Sequence, residues 1–181
     1  MKRILLGVTG SSYAPQALEL AKKLTANGYA VDAVLTENAA RFAAAGDFEA
    51  ATGRKVYTEF FDGTPAGEGP HLALARDVDF AVVAPATANT IAKLAAGITD
   101  NLLTAVLLAL DDVPVLLCPA MDTATYRSPI TQRNRRELDN LGYYFFGPRI
   151  TDDGRANLIA VDKILEKIGD MLDPTCWGAY I

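Results

Sequence analysis

Apolar residues recur along the chain in two alternating patterns: short continuous runs, and longer stretches in which they return every three or four positions. The short runs are typical of strands buried on both faces of a parallel sheet. Strands are predicted at Arg3–Val8, Ala30–Leu35, Phe80–Ala84, Val115–Cys118 and Tyr143–Phe146. The longer stretches predict helices at Ala14–Ala26, about Asn38–Ala45, Ile91–Leu110, Ser128–Leu141 and Ala160–Ile168.

This alternation of strands and helices predicts a doubly wound α/β sheet. With 181 residues, half of them apolar, the chain is expected to form one domain over residues 1–181. The Gly- and Pro-rich stretch 64–70 is too short for a domain linker and is predicted to be a surface loop. The tail from Asp173 to Ile181 has no clear period.

Charge and cysteine content exclude several classes of function. A net charge of -5 and a pI near 4.9 leave no basic surface for nucleic acid, so we expect no nucleic-acid partner. The two cysteines, Cys118 and Cys176, form no disulfide framework and no zinc-ligand spacing, which favours a reducing compartment, the cytoplasm. No apolar stretch reaches the roughly twenty residues of a membrane span, so no membrane partner is expected.

Candidate binding residues follow the first two predicted strands, because ligands of such sheets lie at the carboxyl ends of the strands. After the first strand, Gly10 would allow close backbone approach to a phosphate, and Ser11 and Ser12 add hydroxyl groups. After the second, Thr36 is a candidate donor to a phosphate or a ribityl group. Phe42 is either a cover for a ring or a core aromatic.

The third predicted strand leads into the run Pro85-Ala86-Thr87-Ala88-Asn89-Thr90, where the strand is expected to end at Pro85. The helix that follows would present small polar side chains and free backbone N–H groups, an arrangement that attracts phosphate. Asn89 could bind a ligand, cap this helix, or do both. Together with His71, the only histidine, this run points to a flavin site.

These segments together resemble the homo-oligomeric flavin-containing cysteine decarboxylases of coenzyme A and lantibiotic synthesis, over residues 1 to about 148. The matching segments are Gly7-x-Thr9-Gly10-Ser11, Thr36-x-x-Ala39-x-x-Phe42, Pro70-His71, Pro85 to Thr90, Gly97-x-x-Asp100-Asn101-Leu102 and Pro119-Ala120-Met121-Asp122. Further likeness to the coenzyme A branch lies in Pro129-x-x-Gln132-x-Asn134 and Gly147-Pro148.

The resemblance implies a three-layer flavodoxin-like sandwich that binds FMN and assembles as a homotrimer or homododecamer, with the flavin near a subunit boundary. It implies that His71 is a general base or proton carrier. The residues implied to bind FMN are Gly10, Ser11, Ser12, Thr36, Phe42, Ala86, Thr87, Ala88, Asn89 and Ala120. The residues implied to meet the substrate are Met121, Asp122 and Tyr126, with Asp122 also a catalytic candidate.

The implied reaction is decarboxylation of a cysteine-derived acid. Simple loss of CO2 would leave an unstabilised carbanion, whereas prior oxidation of the thiol to a thioaldehyde provides a C=S group that accepts the electrons. Phosphopantothenoylcysteine, giving phosphopantetheine, is the first expected substrate, and a carboxy-terminal peptide cysteine is the alternative.

Two departures from the family pattern leave alternatives open. The family has an amide, Asn, where this chain has Asp122, so Asp122 is protonated, or the substrate binds differently, or the step is impaired, and the substitution could be natural or engineered. The segment from Arg149 to Ala156 is shorter than the family's substrate clamp and lacks its cysteine. A catalytically silent flavin-binding subunit and, more weakly, a flavin prenyltransferase are the competing interpretations.

Overall fold

The continuous apolar runs form the strands of a central parallel sheet. The computed structural model describes residues 1–60 and 69–173. Its strands are β1 (Arg3–Val8), β2 (Ala30–Leu35), β3 (Phe80–Ala86), β4 (Val115–Pro119), β5 (Met121–Asp122), β6 (Tyr144–Phe145), β7 (Arg149–Ile150) and β8 (Arg155–Asn157). Its α-helices are α1 (Ala14–Ala26), α2 (Ala45–Thr52), α3 (Pro70–Ala75), α4 (Ala88–Ala95), α5 (Leu102–Ala109), α6 (Thr123–Arg127), α7 (Pro129–Asn140) and α8 (Val161–Leu172).

The main sheet has the strand order β2-β1-β3-β4-β6, and every neighbouring pair is parallel. Helices cover both faces, so the predicted three-layer, doubly wound, flavodoxin-like fold is confirmed. In this order β2 lies on one side of β1, and β3, β4 and β6 follow one another on the other side, so the strand order reverses at β1. The crevice between the carboxyl ends of β1 and β3 is therefore the place where such folds bind ligands.

The sheet separates the buried side chains into two hydrophobic clusters. One cluster packs α1, α2 and α8 on the sheet through residues such as Leu20, Phe48 and Ile164. The other packs α3, α4, α5 and α7 and includes Leu103 and Leu138. Because both faces of each central strand are buried, the strands need continuous apolar sequence rather than alternation.

Cys118 lies in β4 with no exposed surface, as expected for a residue of a strand buried on both faces. Burial raises the pKa of its thiol far above the ordinary value, because the thiolate would lose its hydration. Cys118 is therefore a small apolar core residue and not a nucleophile. Cys176 and the rest of 174–181 lie outside the described residues, as does 64–68 of the predicted loop.

The long helix predicted over Ile91–Leu110 is wrong, because two helices occupy this segment. The first, α4, stops at Ala95, and Gly97 then adopts φ 66°, a left-handed conformation that glycine enters without steric cost. Asn101 starts α5 by accepting a hydrogen bond from the Thr104 N–H at 3.1 Å. The apolar period continues across the break because both helices pack on the same face of the sheet.

The helix predicted at Asn38–Ala45 is also wrong, since only a 3-10 turn forms at Ala39–Arg41. The extended backbone of Ala44, with ψ 137°, separates this turn from α2, which begins at Ala45. The third strand likewise runs past its predicted end at Pro85 to Ala86. The remaining predicted elements form close to their expected bounds.

A second, small antiparallel sheet has the order β5-β8-β7. Strand β5 follows β4 after the single residue Ala120, so this sheet is attached at the carboxyl edge of the main one. Within residues 1–60 and 69–173, no helix is long and apolar enough to cross a membrane.

Candidate cofactor site at the carboxyl edge of the sheet

A cleft of about 450 Å³ opens where β1, β2 and β3 end and α4 begins. Its walls are Thr9, Gly10, Thr36, Glu37, Asn38, Thr87, Asn89, Thr90, Lys93, Asp100 and Asn101. Four of the residues predicted from sequence to bind the cofactor, namely Gly10, Thr36, Thr87 and Asn89, are thus brought together. The cleft lies in the β1–β3 crevice, as expected for this fold.

Thr9 joins two walls of the cleft, and the sequence analysis assigned it no role. Its side chain is buried, its hydroxyl donates to the Pro85 carbonyl at 2.7 Å, and its Oγ1 accepts from the Thr87 N–H at 3.1 Å. These bonds fix the turn between β3 and α4 against the end of β1. Thr9 was matched only as part of the Gly7-x-Thr9-Gly10-Ser11 motif, which gives no sign of these distant bonds.

Gly10 is required by close packing against the segment after β2. A Cβ atom at this position would lie 2.4 Å from Asn38 Cβ and 3.0 Å from the Asn38 carbonyl carbon. Real Cβ atoms do not approach this closely, so any side chain at Gly10 would push the Asn38 segment away. The absence of a side chain at Gly10 therefore allows the Asn38 segment to pack closely against the backbone of Gly10. This packing brings the ends of β1 and β2 together.

Helix α4 begins with Thr87, whose Oγ1 accepts from the Thr90 N–H at 3.4 Å. Thr87 is therefore the cap, and the alternative in which Asn89 caps this helix is wrong. Asn89 is instead exposed in the first turn and lines the cleft. The N–H groups of Ala88 and Asn89 precede the first possible intrahelical bonds, so they can donate to a phosphate.

An ion pair forms one side of the cleft. Lys93 Nζ lies 2.7 Å and 2.8 Å from the two carboxylate oxygens of Asp100. The hydrogen bond from Lys93 lowers the pKa of Asp100, so the Asp100 carboxyl is ionised at neutral pH. Since Asn101 also caps α5, this segment holds α4 and α5 in place beside the cleft.

The other residues predicted to bind the cofactor lie along the same edge but outside the walls of this cleft. The Ser11 hydroxyl accepts from the Tyr13 N–H at 3.3 Å, and Ser12 is exposed. Buried Ala86 accepts a hydrogen bond from the Ala120 N–H at 3.2 Å, which ties β3 to β4, and Ala88 opens α4. Phe42 is 48 % exposed, so the core alternative for it is wrong.

The predicted substrate residues lie on β5 and α6. Asp122 caps α6, where its carboxylate accepts from the Thr125 N–H at 2.7 Å and from the Thr125 hydroxyl at 2.6 Å. These bonds lower the pKa of Asp122, so the structure favours the ionised carboxylate over the protonated alternative. Met121 and Tyr126 are half-buried, and the Tyr126 carbonyl accepts from Gln132 Nε2 at 2.6 Å.

His71 lies in the first turn of α3, half-buried, and is not a wall of the cleft. Its ring meets Phe60 edge to face, with the ring centroids 6.1 Å apart. The His71 Nδ1 atom is buried and has no hydrogen-bond partner in the described part of the chain. A buried polar atom without a partner is rare in native proteins, so a group from outside these residues is expected to meet it.

The parallel sheet and the polar cleft beside the start of α4 define a doubly wound α/β protein with a ligand site at the carboxyl edge of its sheet. The chain belongs to the Flavoprotein family, whose model matches residues 1–173. The resemblance found from the sequence motifs is thereby confirmed.

Among curated relatives, a Streptococcus mutans protein named "Probable phosphopantothenoylcysteine decarboxylase" is 37 % identical over 94 % of this chain and 99 % of its own. The coenzyme A biosynthesis bifunctional protein CoaBC of Thermococcus kodakarensis is 35 % identical over 96 % of this chain and 43 % of its own.

Solved structures are also similar. The FMN-dependent cysteine decarboxylase SpaF superposes with a TM-score of 0.83 and 31 % identity, over 92 % of this chain and 94 % of its own. A PPC decarboxylase mutant complexed with pantothenoylaminoethenethiol superposes with a TM-score of 0.80 and 28 % identity, over 92 % of this chain and 96 % of its own.

Proposed function

We propose that this protein is an FMN-dependent decarboxylase of a cysteine-derived acid, with phosphopantothenoylcysteine in coenzyme A synthesis as its first candidate substrate. The observation that carries the proposal is the cleft at the ends of β1, β2 and β3, in a chain of this family. The described residues share one main sheet, which supports a single flavin-binding domain. The cytoplasm is the compartment that the cysteine content favours.

The residues of the cleft fit the chemistry of FMN. The N–H groups of Ala88 and Asn89, with the Thr36 hydroxyl, offer donors for its phosphate and ribityl groups. When bound, FMN supplies a two-electron acceptor for the CH2–SH group of the substrate. Oxidation to CH=S then allows the electrons of the breaking C–C bond to flow toward sulfur as CO2 leaves, giving an enethiol.

The proposed roles of the protein groups are positioning and proton transfer. His71 would take a proton from the substrate, with Met121 and Tyr126 as walls of the substrate site. The remaining predicted flavin contacts, Ser11, Ser12, Phe42, Ala86, Ala88 and Ala120, stay part of the proposal because they share the carboxyl edge with the cleft. His71 is not a wall of the cleft in its own chain. The flavin beside which His71 acts would therefore be the one bound by a neighbouring subunit.

An apolar groove of about 590 Å³ lies between α4 and α7. We propose that a second copy of the chain covers this groove. The groove continues from the cofactor cleft, since Asn89 and Lys93 line both. It exposes Ile98 at 45 % and Ile130 at 64 % of their surfaces. Burying these side chains in a homo-oligomer, a trimer or a dodecamer, would remove apolar surface from water and wall the open side of the cleft.

The Ile130→Asp protein is expected to sediment as a smaller species than the wild type and to retain less FMN, because a charge would be buried in the interface. The matched control is Leu141→Asp, since Leu141 is 62 % exposed just beyond the other end of α7. Sedimentation velocity and flavin absorbance measure both effects. A wild-type monomer that holds FMN tightly would contradict this assembly.

A peptide ending in cysteine is the second candidate substrate, favoured by the segment that follows Gly147-Pro148. In the family clamp a cysteine helps to reduce the enethiol, whereas the hairpin Arg149–Asn157 carries no thiol. Without that group, the enethiol would be the released product and the flavin would stay reduced.

The test is an anaerobic titration of FMN-loaded protein with phosphopantothenoylcysteine, in which flavin absorbance and CO2 are followed together. We expect bleaching of the flavin with release of one CO2 per site. Persistent bleaching would mean that the enethiol is released without return of the electrons. If neither this acid nor a cysteine-terminated peptide yields CO2, even with Asp122→Asn, the decarboxylase proposal fails and a flavin-binding subunit without turnover takes its place.

A further inference from the structure

The hairpin β7–β8 is held over the carboxyl edge of the main sheet by two anchors. Strand β8 pairs with β5, and the Thr123 N–H donates to the Gly154 carbonyl at 2.9 Å. At its other side, the Tyr13 hydroxyl donates to Asn157 Oδ1, which ties β8 to the start of α1. The hairpin therefore spans from the end of β4 to the turn that follows β1.

The two faces of the small sheet differ sharply. Residues paired across antiparallel strands project to the same face, so Met121 and Ala156 share one face, and Asp122 and Arg155 share the other. Ala156 is buried, and Met121 packs against a hydrophobic cluster. Asp122 and Arg155 are exposed, so the face that they share is open to solvent. The hydrogen bond from Tyr13 to Asn157 places one edge of the small sheet beside the turn that follows β1.

Asp122 is not available to a substrate carboxylate. Both of its oxygens accept hydrogen bonds from Thr125, and an ionised carboxylate has no donor of its own. A substrate carboxylate placed beside Asp122 would also be repelled by its charge. The hydrogen-bond donor for a substrate carboxylate must therefore come from another residue.

Arg155 on β8 lies directly opposite Asp122 on β5, because the two residues are cross-strand partners in the small sheet. Directly paired residues have Cβ atoms about 5 Å apart. The Arg155 side chain is 69 % exposed, and its ion pair with Asp153 is long, at 3.7 Å between Nε and Oδ2. Such an exposed contact is weak, so the guanidinium can turn its donors to a ligand.

We propose that Arg155 binds the carboxylate of the substrate through its guanidinium, which supplies, on the open face of the small sheet, the hydrogen-bond donors and the positive charge that Asp122 lacks. The inference rests on the proposed decarboxylase function, since every substrate of that reaction carries a carboxylate. The carboxylate is still intact while the thiol is oxidised, so the ion pair is the same before and during that step. Arg155 therefore contributes to substrate binding and not to the rate of thiol oxidation in the bound complex.

Arg155→Gln is expected to raise KM about 10- to 100-fold, the effect of losing a charge-assisted pair, with kcat within about twofold of wild type and FMN content unchanged. Arg155→Lys should recover part of the affinity, because it keeps the charge but not the two-pronged geometry. The control is Arg136→Gln, which removes an exposed arginine on α7, outside the hairpin. An unchanged KM, or a loss confined to kcat, would overturn the proposal.

Equilibrium binding separates this inference from the decarboxylase function itself. Wild-type protein should bind phosphopantothenoylcysteine more tightly than phosphopantetheine, which lacks the carboxylate, and Arg155→Gln should abolish that preference. The result stands whether or not CO2 is formed. If wild type shows no preference for the acid, or if Arg155→Gln weakens both ligands equally, Arg155 is not the carboxylate-binding residue.

Discussion

The His71→Gln protein is expected to keep its FMN and to lose about 10²- to 10⁴-fold in turnover, the range for removal of a general base. Glutamine preserves hydrogen bonding but cannot carry a proton between groups. The proposed partner of His71 is the substrate, and His71 is not a wall of the cofactor cleft, so the flavin affinity should not change. Its buried Nδ1 atom without a partner is the structural sign that His71 is held for an interaction not made by the described residues.

The measurement is single-turnover bleaching of the flavin, with sedimentation to show that the assembly is intact. Added imidazole should restore part of the turnover of His71→Ala, because a small base can enter the space left by the side chain. A merely structural histidine would show no such rescue. Turnover of His71→Gln within about threefold of wild type would remove the proton-transfer role.

The Gly10→Ala protein is expected to lose about 100-fold in FMN affinity and to be purified largely without flavin. The new methyl group would lie 2.4 Å from Asn38 Cβ, so the segment after β2 must move. Overpacking of this kind costs about 1–3 kcal/mol, and about 3 kcal/mol corresponds to the 100-fold loss. The cost falls on the cleft because Gly10, Thr36 and Asn38 are neighbouring walls.

Flavin titration, with circular dichroism as the folding check, measures this effect. Gly46→Ala is the matched control, since no atom lies within 4 Å of the Cβ position at Gly46 in α2. The control should bind FMN as wild type does. If Gly10→Ala also binds FMN normally, the β1–β2 edge does not form a wall of the cofactor site.

The sequence predicted the cofactor edge more successfully than the helices around it. Gly10, Thr36, and the pair Thr87 and Asn89 follow three different strands, yet parallel strands end at one edge, so their meeting in one cleft follows from strand order. The helix errors have a different cause. An apolar period shows which face is buried but does not show where the backbone turns, and the turn at Gly97 falls inside an unbroken period.

The residues that hold the site together were beyond prediction from the sequence. The Thr9 side chain bonds to Pro85 and Thr87, more than seventy positions away, and nothing in the local pattern reveals such a pairing. For Asp122, the sequence permitted protonated and ionised alternatives. The choice depended on whether hydrogen-bond donors surround the carboxylate, and Thr125 supplies two of them.

The sequence by itself determined the parallel sheet, its two buried faces and the family, because continuous apolar runs and motifs at strand ends are local properties. The tertiary structure decided which groups meet. It split α4 from α5, turned the 3-10 segment so that Asn38 packs on Gly10, and placed Arg155 opposite Asp122. These outcomes depend on contacts between distant segments, whose energies arise only when the chain is folded and water is excluded between them.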